Sequence, residues 1–267
     1  MLERGFDQAH GLRRLFSYHA VHLLPVVANP CLPGSPALLE GLCQGLAAQG
    51  LHTLVVDAVP GGGLDIADAL TRDLDLGQWI VDADALTSVL AVGPTLASFG
   101  QVEGAPSLLF ESLREAVPSA DVVMFHADAN TLAGLFRARR VRPLVLAGDD
   151  PQALTHAYAS IKILALSAGL RRHAVVLDTG APVSGTCPAA TSLVRCVRDF
   201  LDGEARIEAV TCTARDDEAA LERTLRELSN NLLHCALPFS MQDGEGCAWD
   251  GLATFQAAHV AAHQAFN

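Results

Sequence analysis

Gly34, Ser35 and Pro36 open a helical pattern that follows an apolar run ending at Ala28, and Asp57 closes the β-branched run beyond that helix. Strand, loop, helix and a second strand ending in a carboxylate make the frame in which phosphoryl chemistry is done. Loop N–H groups converge on phosphate and a lysine reaches the outer oxygens. Here the segment Asn29–Pro36 has no lysine and a single glycine, Gly34. Pro30, Pro33 and Pro36 have no N–H to donate. A helix N-terminus attracts an anion even without lysine, so weak residual nucleotide binding is the most this loop is expected to retain. No cofactor and no catalytic residue are expected of it.

His126, at the end of the run DVVMFH, would be a base if it reached Ser35, or a metal ligand if it joined Asp128. The simpler expectation is a histidine satisfied at a strand end, and for Asp57 a carboxylate satisfied by loop N–H groups. His259 and His263 have helical i, i+4 spacing, but HVAAH lacks the glutamate of a zincin and no third ligand accompanies it. No metal site is therefore expected. Lys162 is the only lysine, so a lysine-dependent site has one candidate. It stands between Ile161 and Ile163 in a helical pattern and reads as a solvated helix lysine.

Continuous apolar runs at Leu24–Ala28, His52–Val56, Ser88–Val92, Asp121–Phe125, Arg142–Ala147, His173–Leu177 and Ile207–Thr211 predict strands. Helical patterns stand between them, at Pro36–Gln49, Ser107–Ala116, Gln152–Ser167, Cys187–Leu201 and Asp216–Ser229, with a last one at Ala253–Ala265. Gly50 is a helix stop, and Gly148 to Pro151 a turn and helix cap. Strands apolar throughout and each followed by a helix predict one doubly wound α/β domain of about seven mostly parallel strands, with helices on both faces.

The frame from Leu23 to Asp57 resembles the MinD/ParA family of deviant P-loop ATPases. Gly34, Gly50 and Asp57 align without a gap to its KGGxGKT-type loop, the glycine after the first helix and the activating aspartate. The alignment sets Ser35 at the P-loop lysine, Pro36 at the Mg²⁺-binding threonine and Pro30 at the signature lysine. Cys31 and Leu32 replace two glycines, and His126 replaces the Walker B aspartate. The resemblance thus implies a P-loop NTPase-like fold with a degenerate ATP site, a pseudo-ATPase. The segment GDDPQALTHAYASIKIL is similar to one in the FlhG/FleN subgroup, which controls flagellar number, through Pro151, Thr155, Ala157, Tyr158, Ile161 and Lys162. Asp7, Gln8, Ala9, Leu12 and Arg13 match that subgroup's D-Q-A-x-x-L-R element. In the family this helix binds the SRP-type GTPase FlhF and stimulates its GTP hydrolysis. The resemblance implies that residues 1–20 form a partner-binding helix, with Gln8 and Arg13 presented to an FlhF-like GTPase or another flagellar or polar assembly protein. Residues 21–267 would form the MinD-like domain. A divergent ATPase that still binds ATP, and a scaffold in another polar-localisation or cellulose-synthesis system, are the alternatives.

The bulk composition narrows the classes. The net charge of −12 over 267 residues argues against a dedicated nucleic-acid binder, and leaves Arg137, Arg139, Arg140 and Arg142 as a solvated loop. Half the residues are hydrophobic, yet no apolar run reaches the roughly 18 residues of a membrane span. The tail Trp249–Asn267 has no lysine or arginine, so membrane attachment by a basic amphipathic helix is not expected. Seven cysteines without a C-x-x-C pair, and no signal-like N-terminus, fit reduced thiols in the cytoplasm.

Overall fold

The computed structural model describes residues 20–58, 62–181, 187–214 and 218–239. The partner-helix residues Asp7, Gln8, Ala9, Leu12 and Arg13, the pair His259 and His263, the helix expected at 253–265 and the tail from Trp249 lie outside the described residues.

Among the described residues nine strands form one sheet: β1 (Val21–Val27), β2 (Thr53–Asp57), β3 (Val81–Asp82), β4 (Thr87–Ala91), β5 (Val122–Ala127), β6 (Leu144–Gly148), β7 (Arg172–Asp178), β8 (Glu204–Thr211) and β9 (Leu237–Phe239). Their order is β3-β4-β2-β5-β1-β6-β7-β8, with β9 laid against β1. Pairing is parallel except at β3 and β9. The expected seven strands are all present. β3 and β9 are additions, too short to carry an alternation of their own. The helices are α1 (Ser35–Ala47), α2 (Ile66–Thr71), α3 (Thr95–Phe99), α4 (Ala105–Ala116), α5 (Ala129–Leu135), α6 (Pro151–Ala168), α7 (Pro188–Leu201) and α8 (Glu218–Leu232).

Successive side chains of each strand point to opposite faces, and this divides the core in two. Leu24, Val26, Met124, Leu146 and Val176 face Leu38, Leu42 and Leu46 of α1 and Leu225, Leu228 and Leu232 of α8. Leu23, Val27, Phe125, Val145 and Leu177 face the opposite layer, which includes Leu109 of α4, Leu132 of α5, Ile161 of α6 and Val197 of α7. Gly45 lets α1 and α8 approach closely: a Cβ there would lie 3.1 Å from the Leu225 carbonyl oxygen. On the other face Phe110, Phe125 and Phe136 form a mutually packed trio with centroids 5.4 to 5.6 Å apart.

β1 divides its edge between two partners. Val26 and Val27 pair with β6, whereas Val21 to Leu23 pair with β9. β1 sends its helix to one face of the sheet, and its neighbours β5 and β6 send theirs to the other. The C-terminal end of β1 is therefore the topological switch point, where ligands of open α/β sheets bind.

Candidate functional site

The loop Ala28–Gly34 leaves β1 at this switch point, and its interior is filled by its own side chains. Asn29 is 2% exposed. Its amide donates to the carbonyls of Leu146 at 2.9 Å and Ala153 at 3.0 Å, while its Oδ1 accepts from the Cys31 N–H at 3.1 Å. Leu32 is buried too and lies against Gly148, where a Cβ would come within 3.0 Å of it. The Leu32 N–H goes to the Asn29 carbonyl and the Ser35 N–H to the Leu32 carbonyl. The N–H groups of Cys31, Leu32 and Ser35 are thus spent inside the loop.

Gly34 is the N-cap of α1, with an ordinary right-handed φ of −75°. Its lack of a side chain serves close approach rather than backbone freedom. A Cβ at Gly34 would run into the Asp178 carboxylate and the Thr213 hydroxyl. Asp178 ends β7 and accepts from Thr211 Oγ1 at 3.1 Å, from the Thr213 N–H at 2.8 Å and from Thr213 Oγ1 at 2.6 Å. A carboxylate held by three donors therefore stands at the N-terminus of α1, where the helix dipole favours negative charge. Ser35 is buried, and Pro30 and Pro36 are exposed. Neither proline adds a hydroxyl or a backbone donor.

Asp57 and His126 meet across β2 and β5, where their Cα atoms are register partners. His126 Nδ1 lies 3.1 Å from Asp57 Oδ1. Parallel register puts the two strand ends side by side and so adds His126 to the surroundings of Asp57. No hydrogen bond joins Ser35 to His126 among the described residues. Asp128 is equally committed: it caps α5, accepting from the N–H groups of Asn130 and Thr131 and from Thr131 Oγ1 at 2.6 Å. Among the described residues no three His, Cys, Asp or Glu side chains gather as a metal site. Lys162 is exposed on α6. Asp150 caps that helix through the N–H groups of Gln152 and Ala153, and Ala157 and Ile161 turn into the core.

The fold is shared with solved structures. The chain has the ParA/MinD fold. A plasmid partition protein from Borrelia burgdorferi superposes with a TM-score of 0.56 at 11% identity, over 80% of this chain and 99% of that one. MinD in the MinC:MinD cell division complex of Aquifex aeolicus gives 0.52 at 14% identity, over 82% and 98%. Cobyrinic acid a,c-diamide synthase from Mycobacterium smegmatis, with bound ATP analogue and magnesium, gives 0.52 at 13% identity, over 82% and 100%. No protein-family model and no curated protein matches the chain. On the ParA/MinD fold the loop after β1, the end of β2 and the end of β5 meet at one mouth. Ser35, Pro36, Asp57 and His126 are therefore drawn to one end of the sheet.

The residues that shape this mouth most, Asn29, Asp178 and Thr213, are not singled out by the sequence. A strand-end aspartate in HAVVLD was the available signal for Asp178. Its threonine partners lie a whole strand–helix–strand unit further along the chain.

Proposed function

We propose that the chain is a regulatory binding module on the ParA/MinD fold that does not turn over ATP. The observation that carries this reading is the Asp178 carboxylate at the N-terminus of α1, locked by Thr211 and Thr213. A phosphate entering there would meet a negative charge with no lysine to offset it, and Pro36 offers no hydroxyl to magnesium. Phosphoryl transfer depends on lysine, Mg²⁺ and N–H groups neutralising transition-state charge, so a magnesium nucleotide is a poor fit to these donors. Function then rests on protein contacts. The Asp7–Arg13 match supports an FlhF-type GTPase as partner, with Gln8 orienting water and Arg13 stabilising phosphate charge in the partner's site, in control of flagellar assembly or number.

Two measurements on the full chain test the reading. Incubation with Mg²⁺-ATP is expected to give no phosphate release, and turnover that is lost in Pro36→Glu at the switch-point mouth would establish the divergent-ATPase alternative instead. Addition of the chain to an FlhF-type GTPase is expected to accelerate GTP hydrolysis, with the gain lost in Gln8→Ala. No acceleration would remove the GTPase as partner and leave a scaffold in another assembly system.

A further inference from the structure

Five arginines converge on one cavity at the far end of the sheet from the switch-point loop. The cavity measures about 490 Å³ and is lined by Arg139, Arg140, Arg142, Arg171, Arg172 and His234, with Val141, Leu170 and Cys235 as its apolar floor. The topology gathers these residues from distant parts of the chain. Arg139 to Arg142 precede β6, Arg171 and Arg172 lead into β7, and His234 follows α8. The Arg142 N–H donates to the Cys235 carbonyl at 2.9 Å, tying two of the segments together. The run 137–142 is therefore not simply a solvated loop.

Among the described residues three carboxylates, Glu208, Asp202 and Glu204, form ion pairs with the arginines of this cavity. Arg142 pairs with Glu208 at 3.4 Å, but Glu208 also serves Arg206 at 3.4 Å. The partner of Arg171 is Asp202 and that of Arg172 is Glu204, and both are exposed pairs at the rim. Such pairs hold weakly and exchange partners readily. Arg139 is positioned by Ser107 Oγ at 3.0 Å and lies over the Phe110 ring, 5.0 Å from its centroid. Arg140 is exposed and has no side-chain partner among the described residues. This concentration of guanidinium stands in a chain of net charge −12, so overall composition does not account for it.

We propose that this cavity binds a small molecule carrying two linked phosphates. Guanidinium forks match phosphate oxygens in pairs, and five of them around one cavity supply donors enough for two phosphate groups. The volume falls in the range of small-ligand sites, about 300–1,000 Å³. A concave cavity on an acidic protein selects a compact anion over a polymer, whose charge the rest of the surface repels. The site stands apart from the switch-point loop and does not depend on how that loop is read. A free diphosphate and a nucleoside diphosphate share the recognised group. The second would also lay its body on the Val141 and Leu170 floor.

The test is calorimetric titration of the full chain with inorganic pyrophosphate and, separately, with ADP, at low and at high salt. The expected result is one saturable site that weakens with salt. Arg140→Ala and Arg172→Ala are each expected to weaken it about tenfold, the loss of one charge-assisted contact. Both side chains are exposed, so an unchanged thermal melt keeps the comparison valid. Pro36→Glu, which adds charge at the opposite mouth, is expected to leave the affinity unchanged. ADP binding more tightly than pyrophosphate assigns a nucleotide, and equal binding assigns the diphosphate group alone. The proposal is overturned by absence of saturable binding to both probes, by binding indifferent to the two arginine variants, or by binding lost in Pro36→Glu. It is equally overturned if a short single-stranded oligonucleotide binds where pyrophosphate does not.

Discussion

Thr213 Oγ1 donates a 2.6 Å hydrogen bond to Asp178 Oδ2, and that bonded pair occupies the space a side chain at Gly34 would need. Gly34→Ala is therefore expected to destabilise the protein by about 1–3 kcal/mol through overpacking. With φ at −75° alanine meets no backbone penalty, so the whole effect comes from crowding. Urea denaturation of Gly34→Ala, Thr213→Ala and the double variant checks it. The double variant should cost less than the sum of the singles, and strict additivity would rule the crowding out.

Asn29 ties the switch-point loop to β6 and α6 through three hydrogen bonds. Asn29→Ala removes all three bonds and leaves the N–H of Cys31 without its acceptor, at a cost of about 1–3 kcal/mol. Asn29→Asp should be no milder, since a carboxylate donates nothing to those carbonyls. Hydrogen exchange at the Cys31 amide should accelerate in Asn29→Ala and less in Asn29→Asp, whose carboxylate still accepts from that N–H.

His173 is 1% exposed in β7. Burial lowers its pKa from 6.5 to about 4, partly offset by the Glu204 backbone. Between those values the unfolded chain binds a proton that the native chain does not. The contribution of this group is intact above about pH 6.5 and is lost as pH falls towards about 4, amounting to roughly 3 kcal/mol. His173→Leu should flatten that part of the stability profile, measured as urea midpoint against pH. An unchanged slope would place the acid sensitivity elsewhere.

The cysteines should differ in reactivity by burial. Cys31 is exposed in the switch-point loop. Cys43 is buried in α1, and desolvation, with smaller effects of Asp84 and Glu40, pushes its pKa up to about 12. Timed iodoacetamide labelling of the native protein near neutral pH, read by peptide mass, should modify Cys31 long before Cys43. In denaturant the difference should vanish.

Much of the architecture is legible in the chain because its strands are apolar throughout. Val122 to Phe125 and Leu144 to Ala147 are buried on both faces, and nothing but a covered parallel sheet accommodates that pattern. The short helices α2, α3 and α5 escape detection because each spans two turns or fewer, and each is set by a local cap or by packing. The mouth is harder to read. Gly34 looks like the remnant of a phosphate loop, yet its close neighbour is Asp178, and nothing in sequence spacing connects residues so far apart. Asp57 and His126 are each visible as strand ends, but their pairing depends on the β2–β5 register, which hydrophobic pattern alone does not specify. Arg171 and Arg172 join Arg139 to Arg142 only because β6 and β7 are neighbours in the sheet.

The shared edge of β1 has a consequence for biosynthesis. Its first half waits for β9, near the far end of the chain. The central strand is made before the rest of the sheet, yet one edge of its first half has no hydrogen-bonding partner until Leu237 to Phe239 leave the ribosome. In that interval Val21 to Leu23 present an open backbone edge to any passing strand. A nascent chain stopped short of Leu237 should therefore be a better chaperone client than the finished protein, whatever stability its completed core achieves.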